Sequence, residues 1–266
     1  MALSLRAVLL TIAPLAVSFA VVLAVNLLPP DTALEETQAA GRLTVCAPRE
    51  MGPLVTRDRD RPGFEIALVE EAARRSGWRA TVTANIAMAR EFNPANWRIT
   101  RATCRMIVGG LRDNSWSRSL MELGEPYLTS SWVQVAAPGT VWPPAEVVFT
   151  PGVFALDRVA LGSYLRKAGI HILPEQTPAD VATAIDAGKA PVAITDSIMA
   201  AFLFRDTGLE IAPLPDGPAS TGISLGFWKG DTTLRLHMDE VLDQMDKDGT
   251  IARFAEDYGI AVSLLR

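Results

Sequence analysis

The sequence has few of the residues and patterns on which common enzyme classes depend. Only 2 of its 266 residues are histidine and 2 are cysteine. The patterns HExxH, GxxxxGK and CxxC do not occur, so zinc-hydrolase, P-loop and thioredoxin-type chemistry lack their required parts. We therefore expect a protein that is not an enzyme and that needs neither a metal nor a cofactor.

The sequence also lacks an excess of basic charge. It has 25 Lys and Arg residues against 30 Asp and Glu residues, which gives a formal net charge of -5 at pH 7. A protein that binds nucleic acid needs a basic surface to neutralise phosphates, so a nucleic-acid partner is not expected.

One long apolar run is present at the N-terminus. Residues 7–28 follow Arg6 and contain only three polar side chains, those of Thr11, Ser18 and Asn26. As a helix the run would be roughly 33 Å long, against about 30 Å for the hydrocarbon core of a bilayer. We expect residues 1–28 to be a signal anchor in the inner membrane, with a signal peptide cut near Ala24 as the alternative. Arg6 then places the rest of the chain in the periplasm.

The most informative segment spans residues 104–127, CRMIVGGLRDNSWSRSLMELGEPY. A short apolar run ends there in Gly109 and Gly110 and is followed by polar residues, an arginine and Pro126-Tyr127. Glycine has no side chain, so we expect a strand that stops at this pair to leave its last backbone amides open to a guest molecule. In an open parallel sheet such strand ends are where ligands bind.

Strand and helix patterns alternate along the chain, which favours a parallel sheet covered by helices. A helix after Asp231 carries an apolar stripe from Leu234 to Met245, which indicates core packing. Strands at 132–136 and 223–227 would cross between two lobes and form a hinge. The predicted strands are 43–47, 80–84, 105–108, 158–161, 170–173 and 192–195, with a helix at 64–75. We expect a tether at 29–40, a first lobe at 41–136 and 222–266, and a second lobe at 137–221 that begins with a proline-rich stretch at 138–151.

Five further blocks carry a family resemblance together with residues 104–127. They are GRLTV at 41–45, GFEIALVEEAA at 63–73, AGKAPVAITD at 187–196, GISLGFWKGD at 222–231 and DGTIARF at 248–254. In this order they resemble the bacterial extracellular solute-binding proteins of family 3, the amino-acid receptors of ABC importers. The resemblance implies an α/β clamshell of the type II periplasmic-binding-protein kind. It also implies capture of a small polar or anionic, amino-acid-like ligand for an ABC permease or for sensing.

The two cysteines favour a disulfide in an oxidising compartment. Cys46 follows the first strand and Cys104 opens the glycine-ended strand, and in the fold that the resemblance implies these two strands are neighbours. Two buried free thiols are the alternative. The cysteine positions are weakly similar to those of the subfamily associated with quinoprotein dehydrogenases.

The resemblance also implies ligand-binding residues. The backbone of Gly110 would contact the ligand, and Arg118 would bind an anion if a one-residue bulge corrected its register, because the family's arginine falls on Ser117. Arg112 is the alternative anion clamp. The alternative for Arg118 is a solvated surface arginine, and the alternative for Arg112 is a surface salt bridge.

The second lobe supplies two more candidates. Ser163 would follow a strand and open a helix, where free amides and a hydroxyl make an anion seat. Asp196 would bind an ammonium group or would simply cap the next helix.

The family's aromatic side chains after the first strand are missing. Residues 48–61 contain four arginines in their place, and Trp97 and Trp116 are the aromatic residues that would compensate. A second hypothesis is therefore a membrane-anchored partner-binding module beside a periplasmic enzyme, with a degenerate ligand cleft. A third is a periplasmic dehydratase on the same fold.

Overall fold

The structure is a computed structural model. It describes residues 13–14, 16–20, 30–89, 94–150, 156–174, 181, 183–185, 187–188, 190–204 and 206–265. In the N-terminal apolar run, residues 16–20 are helical, and most of the run lies outside the described residues. In the part of the chain that the structure describes, no helix is both long and apolar enough to cross a bilayer. The membrane anchor stays a prediction.

Helices and strands alternate along residues 33–265. The helices are α1 (Ala33–Ala40), α2 (Phe64–Arg75), α3 (Ser115–Leu120), α4 (Arg158–Lys167), α5 (Ser197–Leu203), α6 (Thr232–Lys247) and α7 (Thr250–Asp257). The strands are β1 (Arg42–Pro48), β2 (Arg79–Asn85), β3 (Met106–Arg112), β4 (Glu122–Leu123), β5 (Leu128–Ser130), β6 (Trp132–Ala136), β7 (Glu146–Phe149), β8 (His171–Pro174), β9 (Val192–Asp196), β10 (Glu210–Pro213) and β11 (Thr221–Phe227). Three short 3-10 helices are Ala87–Ala89, Pro94–Asn96 and Val262–Leu264.

The first sheet has the order β2-β1-β3-β11-β4, with β5 also paired to β11. β1 runs parallel to β2 and β3, whereas β11 returns antiparallel to β3. One face packs against α2 and α6, whose buried apolar residues form the largest core of the molecule. The α6 stripe is buried as predicted, at Leu234, Met238, Val241, Leu242 and Met245.

The other face of the first sheet carries a smaller core and the disulfide. Cys46 and Cys104 are bonded, with their α carbons 5.6 Å apart, which confirms the predicted pairing. Met88 and Trp97 from the irregular connection after β2 pack here with Met121. This connection contains only two short 3-10 helices in its described part.

The segment expected as a tether is helical over most of its length. α1 packs against α6 because Ala33 and Thr37 are buried there, and the Leu34 amide donates to the Thr233 hydroxyl, 3.4 Å away. Residues 33–40 are thus part of the first core.

The second sheet has the order β10-β6-β9-β7-β8. β7 runs parallel to β8 and β9, and β6 runs antiparallel to β9 and β10. Apolar side chains are buried on both faces, as expected for a sheet covered by helices on both sides. The chain crosses between the two sheets twice, between Ser130 and Trp132 and between Pro213 and Thr221. β6, which the sequence-based boundary puts in the first lobe, hydrogen-bonds only in the second sheet.

One predicted strand is a helix. Residues 158–161 begin α4, because the Asp157 side chain accepts hydrogen bonds from the Val159 and Ala160 amides, at 2.9 Å each, and caps the helix. Leu161 and Leu165, one turn apart, are its buried residues. The strand of this region is β7, which lies inside the proline-rich stretch at 138–151. The sequence also predicts a helix with its N-cap at Thr177, and that residue lies outside the described residues.

Candidate ligand-binding site

A cavity opens beside the C-terminal ends of β1 and β3 in the first lobe. Its volume is about 70 Å³, and about 560 Å³ when the open solvent at its mouth is counted. Its lining consists of a glycine-rich backbone segment and a wall of sulfur-containing, proline and aromatic side chains. The backbone segment is Gly109–Arg112, and the wall contains Pro48, Met88, Pro94, Trp97, Trp116, Ser117 and Met121.

Arg112 is the one charged residue among the described residues that line this cavity. It is the last residue of β3 and pairs with Ile223 of β11, so its backbone is fixed by the sheet. Its side chain is half-buried. Within the described part of the chain, the guanidinium has no hydrogen bond and no ion pair. The anion clamp proposed as the alternative from sequence is therefore the arginine that reaches the cavity.

The backbone amides of the glycine pair are not open to a guest. The Gly109 amide donates to Glu65 Oε2 at 2.5 Å, and the Gly110 amide donates to both oxygens of the same carboxylate at 3.0 and 3.1 Å. Nor does the strand stop there, since β3 continues to Arg112 through a bulge in its pairing with β11. The expectation for the Gly110 amide is wrong because a buried carboxylate on α2 needs these donors.

Gly109 is required as glycine for a steric reason. Its φ is +122°, and a β carbon at this position would lie 2.4 Å from Pro48 Cδ. Glycine at this position thus allows β3 to lie close to β1, and a larger residue would prevent that contact.

Glu65 is the centre of a buried polar network. It is fully buried in the first turn of α2, and the Tyr127 hydroxyl donates to Glu65 Oε1. Burial raises the pKa of Glu65, and the hydrogen bonds from Tyr127, Gly110 and Gly109 oppose that rise. The sequence analysis did not single out this network. The acidic residue in the buried turn GFEI was the signal that could have found it.

Arg118 points elsewhere. It lies in α3 directly after Ser117, and no bulge shifts it into the cavity. Its guanidinium binds the Asp113 carboxylate through two hydrogen bonds, Nε to Oδ1 at 2.5 Å and Nη2 to Oδ2 at 2.8 Å. The pKa of Arg118 is raised, chiefly by this hydrogen bonding to Asp113. Arg118 is thus a surface arginine, which was its alternative role, and it is paired with Asp113.

Asp196 ends β9 in the second lobe and is fully buried, with 0% of its surface exposed. Its carboxylate accepts hydrogen bonds from the Ile198 and Met199 amides, both at 3.0 Å, and so caps α5. Arg158 lies near enough to be affected: desolvation lowers the pKa of Arg158, while the charge of Asp196 opposes that shift. The arrangement matches the helix-cap role rather than an open ammonium site.

Ser163 does not open a helix. It lies in the interior of α4, which begins five residues earlier, and Arg166 donates to its hydroxyl at 3.2 Å. The N-terminal amides of α4 are already bound by Asp157, so the predicted anion seat at Gly162-Ser163 is wrong.

The described residues do not form a metal site or a hydrolase site of the Gly-x-Ser-x-Gly type. No group of three or more His, Cys, Asp or Glu residues among them could hold a metal ion. Residues 222–226 spell the hydrolase pattern Gly-x-Ser-x-Gly, but Ser224 is fully buried within β11 and not at a strand-to-helix turn. The described lining of the cavity contains no carboxylate and no imidazole.

No protein-family model matches this chain, and no curated protein is significantly similar to it in sequence. Solved structures do match. An ancestral cationic amino acid solute binding protein has a TM-score of 0.69 and 17% identity, over 85% of this chain and 99% of its own. The substrate binding protein of a polar amino acid ABC uptake transporter from Streptococcus thermophilus has a TM-score of 0.67 and 15% identity, over 86% and 90%.

A third match is a mutant of ArgBP from T. maritima, with a TM-score of 0.60 and 20% identity, over 85% of this chain and 98% of its own. The chain has the fold of these solute-binding proteins. The family resemblance read from the sequence is thereby confirmed at the level of the fold. The ligand has to be argued from the cavity of this chain, because identities of 15–20% establish shared architecture alone.

Proposed function

We propose that this protein is a solute-binding protein of the periplasm that captures a small anionic ligand in the cavity of its first lobe. Closure of the lobes would then present the ligand to an ABC permease or to a sensor. The single observation that carries the proposal is the unpaired Arg112 guanidinium beside an apolar cavity at the edge of the sheet. Proteins of the same fold are described as binding arginine and as serving amino acid uptake, which supports the proposal.

The chemistry of Arg112 suits this role. A guanidinium offers a planar pair of donors that matches a carboxylate, and such hydrogen bonds are stronger than neutral ones. Strand pairing holds the backbone of Arg112, so the ordering that an anion imposes is confined to the side chain. Its side chain also has no competing carboxylate within the described residues.

Calorimetry and thermal shift against amino acids, small carboxylates and amines test the proposal. For the ligand that binds, Arg112→Ala should weaken affinity about 30-fold or more, because truncating one partner of a desolvated charge pair costs about 2–5 kcal/mol. Arg118→Ala should leave the affinity within about threefold, since its partner is Asp113. Arg79→Ala is the second control. It removes the same charge from the first residue of β2, which does not line the cavity. If no solute in the panel gives heat or a thermal shift, the proposal fails.

A non-enzymatic role is part of the proposal. The described cavity lining has no acid or base to move a proton. One match is described as an amino acid-binding precursor of cyclohexadienyl dehydratase, so dehydratase activity on the purified protein is worth excluding by direct assay. Attachment of the body to the inner membrane through residues 1–28 belongs to the same proposal, and fractionation of the intact protein tests it.

A second candidate is a partner-binding module with a degenerate cleft. The observation that favours it is that two groups expected to hold an amino acid are already engaged, the Gly110 amide by Glu65 and Asp196 by the amides of α5. Pull-down from solubilised membranes distinguishes this candidate, since it predicts a stoichiometric protein partner whose binding survives Arg112→Ala.

A further inference from the structure

We propose that the cavity selects a small carboxylate with an apolar or aromatic body and does not require an α-ammonium group. This inference rests on the proposed function and narrows its ligand class. It departs from the amino-acid ligands of the proteins that share the fold.

The anionic end of the ligand is assigned by Arg112. Because the Gly109 and Gly110 amides donate to Glu65, they do not contribute donors to a carboxylate in the cavity. Arg112 is the only cation in the described lining, and it has no partner among the described residues. Recognition of the anion therefore falls on one guanidinium, which suits a single carboxylate better than a dianion.

The body of the ligand is assigned by the wall of the cavity. Trp97 is buried, with 5% of its surface exposed, and Trp116 is open to the cavity mouth at 47%. Met88 and Met121, both buried, add polarisable thioethers, which make favourable contacts with aromatic rings. A wall of this composition gains free energy from apolar and aromatic surface, and Ser117, with its hydroxyl, is its one polar residue among the described residues.

The ammonium end has no place in this lining. No carboxylate is among the described residues that line the cavity. The nearest acidic residue in sequence, Asp113, is bound to Arg118, and Asp196 of the second lobe is fully buried as the cap of α5. An ammonium group brought beside this wall would lose water without gaining a carboxylate partner among the described residues, and that loss weakens binding. An α-amino group on the ligand should therefore lower its affinity for this cavity.

Three probes of nearly equal shape test the inference by calorimetry on the purified protein: 3-phenylpropanoate, L-phenylalanine and 2-phenylethylamine. We expect 3-phenylpropanoate to bind at least tenfold more tightly than L-phenylalanine, and 2-phenylethylamine to give no measurable heat. Arg112→Gln should abolish binding of 3-phenylpropanoate, and Arg112→Lys should retain part of it. Trp116→Ala should weaken it about tenfold, as expected for loss of one aromatic contact.

The possible failures can be told apart. If L-phenylalanine or any other α-amino acid of the wider panel binds as tightly as its deaminated counterpart or more tightly, the inference is overturned and the proposed function stands. If neither the three probes nor any other solute binds, the proposed function fails and the inference fails with it. Thermal melting of each variant shows that lost binding is not lost folding, and the half-exposed Trp116 makes Trp116→Ala the least disruptive of them.

Discussion

Removal of one hydroxyl group should show how strongly the buried Glu65 network holds the first lobe together. Tyr127 is 6% exposed, and its hydroxyl donates to the fully buried Glu65 carboxylate. Tyr127→Phe deletes that donor and keeps the ring, which packs near Phe64 with a centroid distance of 6.1 Å. The change therefore leaves the apolar packing intact and removes one hydrogen bond to Glu65.

The size of the effect follows from the charge on Glu65. Hydrogen bonds to a charged group contribute about 1.5–3 kcal/mol, whereas bonds between neutral groups contribute about 0.5–1.5 kcal/mol. While Glu65 is ionised, Tyr127→Phe should lower the free energy of unfolding by about 2 kcal/mol. When Glu65 is protonated, the loss should fall to about 1 kcal/mol.

The pH dependence has a defined sign. Burial raises the pKa of Glu65 above its ordinary value of 4.5, so the folded protein binds this proton more tightly than the unfolded chain does. The stability that comes from that proton is present below about pH 4.5 and is lost as the pH rises through the raised pKa. Because Tyr127 opposes the rise, Tyr127→Phe should raise the pKa of Glu65 further. The stability gap between wild type and variant should then widen as the pH increases.

Urea unfolding of both proteins at several pH values between about 4 and 8 measures this gap. Tyr164→Phe is the matched control, because the Tyr164 hydroxyl donates to the Pro215 carbonyl at an exposed site, 2.6 Å away. Its effect should stay below about 1 kcal/mol and should not change with pH in this range. A Tyr127→Phe effect as small as the control, with no widening toward neutral pH, would refute the account of the network.

Two further predictions concern stability. Reduction of the Cys46–Cys104 bond, which joins residues 58 positions apart, should lower the free energy of unfolding by about 4 kcal/mol in the chain-entropy model; an unchanged urea midpoint in reductant would contradict this. Arg75→Ala should cost about 1 kcal/mol near neutral pH, because Arg75 joins Glu71 of α2 to Asp248 after α6. Hydrogen bonds from Arg74 and Arg75 lower the pKa of Glu71 to about 2. A hydrogen bond from Arg75 lowers the pKa of Asp248 to about 2 as well. The stability that these two carboxylates contribute is therefore present above about pH 4.5 and is lost as the pH falls toward 2. The cost of Arg75→Ala should shrink on acidification for this reason. A cost that stays constant between pH 7 and 3 would contradict the role given to these ion pairs.

Much of the architecture could be predicted because it depends on local pattern. The stripe of α6 and the strands β1, β3 and β11 follow from apolar spacing and glycine positions, and the order of blocks identified the fold. Residues 158–161 were mispredicted because the short apolar run at 159–161 fits a strand and a helix equally well. The cap supplied by Asp157 decided in favour of the helix, and β7 took the place in the sheet.

The site was less predictable, because the role of a polar residue depends on its partner. Arg112 ends β3 and Arg118 follows in α3, and only the Asp113 carboxylate determines which of the two is engaged. The Gly110 amide was expected to meet a ligand, but Glu65, 45 positions earlier in the chain, lies against it. No periodicity within one element reports such a contact.

The sequence by itself determined the fold class, most strands of the first sheet, the pairing of the two cysteines and the end of β3 as the place for a cavity. Spacing and side-chain volume act over a few residues, so they can be read along the chain. Only the tertiary structure decided which charges are neutralised and which one remains available, since those outcomes depend on distances between elements remote in sequence. In this protein the tertiary structure leaves Arg112 beside an apolar cavity. The Gly110 amide, Arg118 and Asp196 are bound to other groups of the protein.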